Sequence, residues 1–268
     1  MKNKLYLLAF LCLSIHLSAQ ESEPGGIWTS ISAEKDLTKK WSVGGEIELR
    51  TIGFTTDRDR IGIQIGTDYE FFKNLKLGLS YSWMNVDDDY KFSDDSIRTD
   101  FFQNRHRFNA QASWKFKLGD FGFQFRERAQ TTLKDDSNRL KEDGSINTNR
   151  INPEYVWRNR LKVSYGTKDS DWEPYVSIET YFLLNDPEEI RFYNSDQSDF
   201  SVKNQFFSKI RYTAGIEYKI NKRHKVELYG MYSHERGAEE QVVPGPNYYA
   251  ISDWIDDYVL GLAWSIKL

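Results

Sequence analysis

Apolar and polar residues alternate along this chain with a period of two, in long blocks. From Arg60 onward, Ile61, Ile63, Ile65, Thr67, Tyr69 and Phe71 fall on one face, while Arg60, Gly62, Gln64, Gly66, Asp68 and Glu70 fall on the other. Successive side chains of a strand point to opposite sides, so this block predicts a strand with one apolar and one strongly polar face. After Phe72-Lys73-Asn74, the residues Leu75, Leu77, Leu79, Tyr81 and Trp83 resume the pattern against Lys76, Gly78, Ser80 and Ser82, which completes a hairpin. The device recurs in Phe102 to Phe116 with Phe121 to Leu133, in Glu154 to Tyr165 with Trp172 to Phe182, and in Phe206 to Ile220 with His224 to Arg236. Ile27 to Lys35 and Trp41 to Gly53 open the series, and Ile255 to Leu268 closes it, for about eleven strands.

The connections carry as much information as the strands. Short turns at 72–74, 117–120, 166–171 and 221–223 alternate with long polar segments at about 86–101, 134–152, 185–205 and 237–254. Short turns on one side and long loops on the other describe an antiparallel up-and-down meander, the pattern of an outer-membrane barrel with its turns in the periplasm. Two features separate this from a soluble sandwich. Aromatic residues gather at both ends of the apolar faces, with Trp41, Tyr69, Phe71, Trp114, Phe116, Phe121, Tyr165 and Trp264 near the turns. Tyr81, Trp83, Phe102, Tyr155, Trp157, Phe182 and Tyr232 lie near the loops, so both interfacial girdles of a membrane barrel are present. The polar faces mix Gly and Ser with long charged residues, as a shared lumen requires. Single-chain bacterial barrels have an even strand number, so the expectation is an all-β transmembrane barrel of about twelve strands, with ten as the other even total. Under that rule Ile27 to Lys35 could be an inner segment rather than a wall strand.

Composition changes the picture at the N-terminus. Lys2 and Lys4 precede an apolar run from Leu5 to Leu17, followed by Ser18 and Ala19, which is the layout of a cleaved secretory signal peptide. Residues 1–20 are therefore expected to be removed, leaving 21–268 as one barrel domain without cysteine, because the single Cys is Cys12. Leu11 stands where lipoprotein processing needs a small residue, which argues against lipid attachment at Cys12. The net charge of −4 becomes −6 once the two lysines of the signal segment are gone, which excludes the basic excess of a nucleic-acid binder. The apolar runs needed for membrane-spanning helices are missing as well.

A resemblance follows from particular segments. Ser18-Ala19-Gln20, Ile27-Trp28, Trp41 with Glu46-Ile47-Glu48-Leu49-Arg50, Asn104-Arg105-His106-Arg107-Phe108 and Asn159-Arg160-Leu161 resemble the domain-of-unknown-function 2490 family of Bacteroidetes-type outer-membrane proteins. The resemblance covers nearly the whole mature chain and rests on strand pattern and Arg-rich positions. It implies an outer-membrane location and a barrel, with no activity to carry over.

The candidate chemistry is a run of basic residues with inward parity. Arg50, Arg60, Arg105, Arg107, Arg126, Arg128, Arg158, Arg160, Lys162, Lys209 and Arg211 all belong to it, placed by the strand pattern in the loop-side half. Inward acids at that level are fewer, with Glu46, Glu48 and Glu179 nearest and Glu217 and Glu227 lower down. Two readings stand open: a salt-bridged plug that packs the lumen, or a vestibule that attracts a small anion such as a phosphate or carboxylate through the forked donors of Arg. Ten to twelve strands lined by long side chains leave no room for a general porin channel. The expected partners are outer-membrane lipids and a small anionic ligand, with no nucleic acid, no cofactor and no metal. An enzyme, phospholipase- or protease-like, is the weaker alternative: His106, His224 and His234 all have outward parity. Ser233-His234-Glu235 is the one local candidate, and adjacent strand residues cannot pair. A secreted soluble β-protein is the remaining alternative. The acid clusters Asp87-Asp88-Asp89, Asp94-Asp95, Glu188-Glu189 and Asp256-Asp257 lack the spacing of a calcium loop and read as solvated charge.

Overall fold

The computed structural model describes residues 25–51, 54, 58–87, 90–91, 98–99, 102–135, 151–167, 170–185, 190–193, 199–202, 206–241 and 249–268. The signal segment and the acids Asp88, Asp89, Asp94, Asp95, Glu188 and Glu189 lie outside the described residues. The regular elements are all strands. They are β1 (Gly26–Asp36), β2 (Trp41–Thr51), β3 (Arg58–Phe72), β4 (Leu75–Asp87), β5 (Tyr90–Lys91), β6 (Arg98–Thr99), β7 (Phe102–Leu118) and β8 (Phe121–Asp135), followed by β9 (Ile151–Tyr165), β10 (Trp172–Leu183), β11 (Ile190–Tyr193), β12 (Asp199–Val202), β13 (Phe207–Lys219), β14 (His224–Gln241) and β15 (Tyr249–Lys267). Eleven of them close into one barrel in the order β1-β15-β14-β13-β10-β9-β8-β7-β4-β3-β2, while β5-β6 and β11-β12 pair within long connections.

The meander is therefore present, but two expectations change. The strand total is eleven, not twelve or ten, and the ring closes through a parallel pair, from Gly26↔Val259 to Glu34↔Lys267. Parity matters only where every neighbouring pair must be antiparallel. A parallel ladder saturates backbone donors and acceptors too, so an odd ring loses its free edges equally well. Consequently β1 starts on the loop side, β15 ends on the turn side, and Ile27 to Lys35 is a wall strand rather than an inner segment.

Local chemistry ends the strands where the pattern predicts. The Thr38 hydroxyl accepts hydrogen bonds from the backbone N–H groups of Lys40 at 3.2 Å and Trp41 at 3.0 Å, which fixes the first turn. Asn221 does the same through Oδ1 for Arg223 at 2.8 Å and His224 at 3.0 Å.

Burial is inverted relative to a water-soluble protein. Gln103, Asn109, Gln130, Thr132, Glu179 and Ser233 face inward and are buried, whereas Leu79, Ile65 and Val176 are 63%, 60% and 58% exposed on the outside. Such an apolar exterior is stable only in hydrocarbon, and the closed ladder leaves no strand edge to be desolvated there. Aromatic contacts border the belt at both ends. Trp41–Tyr69 at 4.9 Å, Trp114–Phe116 at 5.3 Å and Phe121–Tyr165 at 5.2 Å lie on the turn side. Tyr81–Phe108 at 5.2 Å, Trp157–Phe182 at 6.3 Å and Tyr232–Tyr258 at 5.2 Å lie on the loop side.

Part of the lumen is filled by a row of alternating size. Tyr175 is the cross-strand partner of Gly215, Gly215 of Tyr229, and Tyr229 of Gly261. A Cβ at Gly215 would overlap the Tyr175 ring, and one at Gly261 would overlap the Tyr229 ring. The glycines are thus the space into which the two phenol rings pack.

Candidate functional site

Three carboxylates organise the inward charges, each on a different part of the wall. On β2, Glu48 accepts two bonds from Arg50, from Nε at 2.8 Å and Nη2 at 2.9 Å, and a third from Arg60 of β3 at 3.0 Å. Residues two apart on a strand share a face, which explains why Glu48 and Arg50 meet. On β10, Glu179 accepts from Arg126 of β8 at 2.8 Å and from Arg158 of β9 at 3.1 Å to both oxygens. Tyr181 donates its hydroxyl to the same carboxylate at 2.8 Å, and Arg211 of β13 stands 3.7 Å away. Nearer the turns, Glu217 takes Lys162 at 2.5 Å and Lys225 at 2.8 Å.

Aromatic rings join these clusters across the lumen. The Arg50 guanidinium lies 3.2 Å from the centroid of the Trp28 ring, and Arg211 lies 5.2 Å from the same centroid. Arg158 stands 4.5 Å and Arg211 5.2 Å from the Tyr181 ring, and Arg211 also donates to the Tyr181 oxygen at 2.6 Å. These contacts link β1 and β2 to β10 and β13 at one level.

Two chambers result. The loop-side chamber, about 320 Å³, is lined by six cationic side chains, Arg50, Arg60, Arg107, Arg158, Lys209 and Arg211, against the acids Glu154 and Glu235. The turn-side chamber, about 510 Å³, is lined by small residues such as Ser32, Ser42, Gly44, Gly66 and Ser80, by the cations Lys219, Lys222, Arg223, Lys225 and Lys267, and by the acids Glu34, Glu46 and Asp68. Arg126, Arg128, Arg160, Glu179, Tyr175 and Tyr229 line neither chamber and make up the waist between them.

The eleven sequence-predicted residues divide accordingly. Arg50, Arg60, Arg107, Arg158, Lys209 and Arg211 converge on the loop-side chamber, where Lys209 pairs with Glu235. Arg126, Arg128 and Arg160 belong to the waist. Arg128 donates to Gln111 from Nε at 3.2 Å and Nη2 at 2.7 Å, and Arg160 makes no hydrogen bond or ion pair with a described residue. Arg105 donates to Gln103 at 3.2 Å and does not line the chamber. Lys162 departs from the expected loop-side level: its ammonium turns down to Glu217 and lies 3.5 Å from the Tyr175 centroid. Arg107 is the distinctive member. It donates to the Thr132 hydroxyl at 3.1 Å and has no carboxylate partner among the described residues.

The sequence pattern gave no lumen role to Trp28, which entered only through the family resemblance, or to Tyr175, Tyr181 and Tyr229. An aromatic residue at polar parity in an alternating strand is the signal that could have found them, since a barrel interior needs a specific reason to hold one. Ser233 and His234 lie on opposite faces as expected. Ser233 is buried in the lumen, while His234 Nδ1 bonds outward to Asp256 at 2.5 Å and its ring stacks on Trp254 at 4.4 Å. Asp256 also accepts from the Tyr232 hydroxyl at 2.9 Å.

Several solved structures share features with this chain. A NanC porin has a TM-score of 0.46 at 14% identity, with 91% of this chain and 97% of that one covered. The β-domain of the Bordetella autotransporter BrkA has a TM-score of 0.46 at 14% identity, covering 74% of this chain and 76% of that one. The siderophore receptor PirA from Acinetobacter baumannii has a TM-score of 0.29 at 9% identity, covering 85% and 46%. Among curated proteins, none matches this sequence. The family profile described as protein of unknown function, DUF2490, matches residues 25–243, which include ten of the eleven barrel strands in whole or nearly so and every basic residue of the chamber and waist. The chain belongs to the DUF2490 family.

Proposed function

We propose that this protein is an outer-membrane barrel without enzymatic activity that captures a small multivalent anion in its loop-side chamber, its ionic waist making it a narrow ligand-handling barrel rather than a general pore. The observation that carries this reading is Arg107, which lines the chamber beside five cations paired with Glu48, Glu179 and Glu235 and has, among the described residues, only the Thr132 hydroxyl as its partner. Guanidinium groups that lack a carboxylate keep forked donors available, and a carboxylate or phosphate matches that fork. The surrounding partners are outer-membrane lipids, in keeping with the apolar exterior.

A second reading, a purely structural barrel, is favoured by the pairing of Glu48 and Glu179 with their arginines. One experiment separates the two. Refolded protein in planar bilayers and in calorimetry with citrate should show anion preference or citrate binding that weakens as salt rises. Arg107→Ala should weaken that binding roughly tenfold with little change in stability, because it removes a donor fork and no ion pair with a described residue. Absence of both citrate binding and anion preference in the parent protein would leave the structural barrel standing.

A further inference from the structure

The lipid-facing wall holds an ionisable side chain ill suited to hydrocarbon. Along β8 the outward residues include Phe123, Phe125, Glu127, Ala129 and Thr131, and Glu127 is exposed on that surface. It makes no hydrogen bond or ion pair with a described residue. Its depth follows from the register: Phe125 pairs with Trp114 on the turn side, and Thr131 pairs with Phe108 on the loop side. Glu127 therefore lies between the two girdles. Among the described residues it is the only ionisable side chain turned outward at the middle of the belt. Its cross-strand neighbour on β9 is Asn159, which in turn pairs with Thr180 of β10, so a short polar row crosses three strands inside the apolar band. Beside this row, and bordered by Glu127 itself, runs an outer groove of about 620 Å³ floored by Ala110, Ala112 and Ala129.

A carboxyl group in lipid, ionised or protonated, is costly unless something there hydrogen-bonds to it, and intramembrane acids mark functional sites for that reason. We propose that a second copy of this chain docks on this face about a two-fold axis along the membrane normal, with Glu127 of each copy meeting Asn159 of the other. A two-fold interface has to be complementary to itself. A carboxyl and a carboxamide side by side satisfy that condition, because the amide N–H of each copy can donate to the carboxyl of its partner. Such an axis preserves depth, so the two groups need nearly equal heights. They are direct cross-strand partners, spaced by about 4.8 Å, and a strand tilt of about 40° offsets them by only about 3 Å, within the reach of a Glu side chain. The small floor of the groove lets the two walls approach closely, as small residues do in other membrane interfaces. This inference requires membrane insertion but not the anion chamber.

The test uses fluorescently labelled full-length protein refolded into lipid vesicles, with energy transfer followed as lipid dilutes the protein. Insertion is read separately from heat-modifiable electrophoretic migration. The parent should associate as a dimer, Glu127→Gln should retain association, and Glu127→Leu should weaken it roughly tenfold. Ala129→Trp, an apolar change on the lipid side that fills the groove, should weaken association without harming insertion. It keeps the test decisive if the Leu variant inserts poorly. Inserted parent protein that stays monomeric across the dilution series, or an inserted Glu127→Leu or Ala129→Trp variant that associates like the parent, would overturn the proposal.

Discussion

Replacing Glu179 by Gln tests whether the waist holds the barrel together. The carboxylate is the shared partner of Arg126, Arg158 and Arg211, and its side chain is only 7% exposed against 14%, 12% and 14% for the three arginines. Breaking a buried ion pair by removing one partner costs roughly 3 to 5 kcal/mol, because the remaining charge stays desolvated. The amide preserves the shape and can still accept the Tyr181 bond, so about 3 kcal/mol is the expected loss. Were the lumen wet enough for these charges to behave as surface groups, the cost would fall below about 1 kcal/mol. Urea titrations of the protein folded in lipid vesicles distinguish the two magnitudes. Arg158 and Arg211 also line the loop-side chamber, so sulfate should raise the unfolding midpoint of the Gln variant more than that of the parent, by occupying the place of the lost charge. A double variant that adds Arg126→Met should lose less than the sum of the two single changes. A cost under about 1 kcal/mol, with additive single changes, would refute the view that Glu179 organises the waist.

Three further outcomes follow from the same geometry. Leu79→Arg places a cation in the lipid belt and should cost about 2 to 4 kcal/mol, whereas Ser80→Arg points into the lumen and should cost less; paired unfolding titrations in vesicles check this. Gly261→Ala should destabilise by roughly 1 to 3 kcal/mol because the new Cβ meets the Tyr229 ring, and adding Tyr229→Ser should recover much of that loss. Trp28→Ala removes the ring that Arg50 and Arg211 approach and should cost roughly 1 to 3 kcal/mol, read by the same titrations; no loss would mean that Trp28 does not help seat β1 in the wall.

Strand identity and facing were legible in the linear chain because both are local. A period of two is a property of extended backbone, and turns such as Thr38 to Trp41 and Asn221 to His224 close through side chains two or three residues away. The inward parity of Arg107, Arg158 and Glu179, and the outward parity of Leu79 and His234, followed from the same rule. Closure did not. Nothing in Gly26–Asp36 specifies that it lies parallel to Tyr249–Lys267, since that pairing depends on how tilted strands meet after a full circuit of the barrel. The even-number rule, applied to a correct count of eleven, pointed to twelve. Height was equally hidden. Parity says that Arg126 and Glu179 both face inward, but the stagger between strands brings them together across 53 residues and sends Lys162 down to Glu217 instead. Alternation chose the face of each side chain; the tilt and stagger of the closed barrel chose which charges became partners and left Arg107, among the described residues, with a hydroxyl alone.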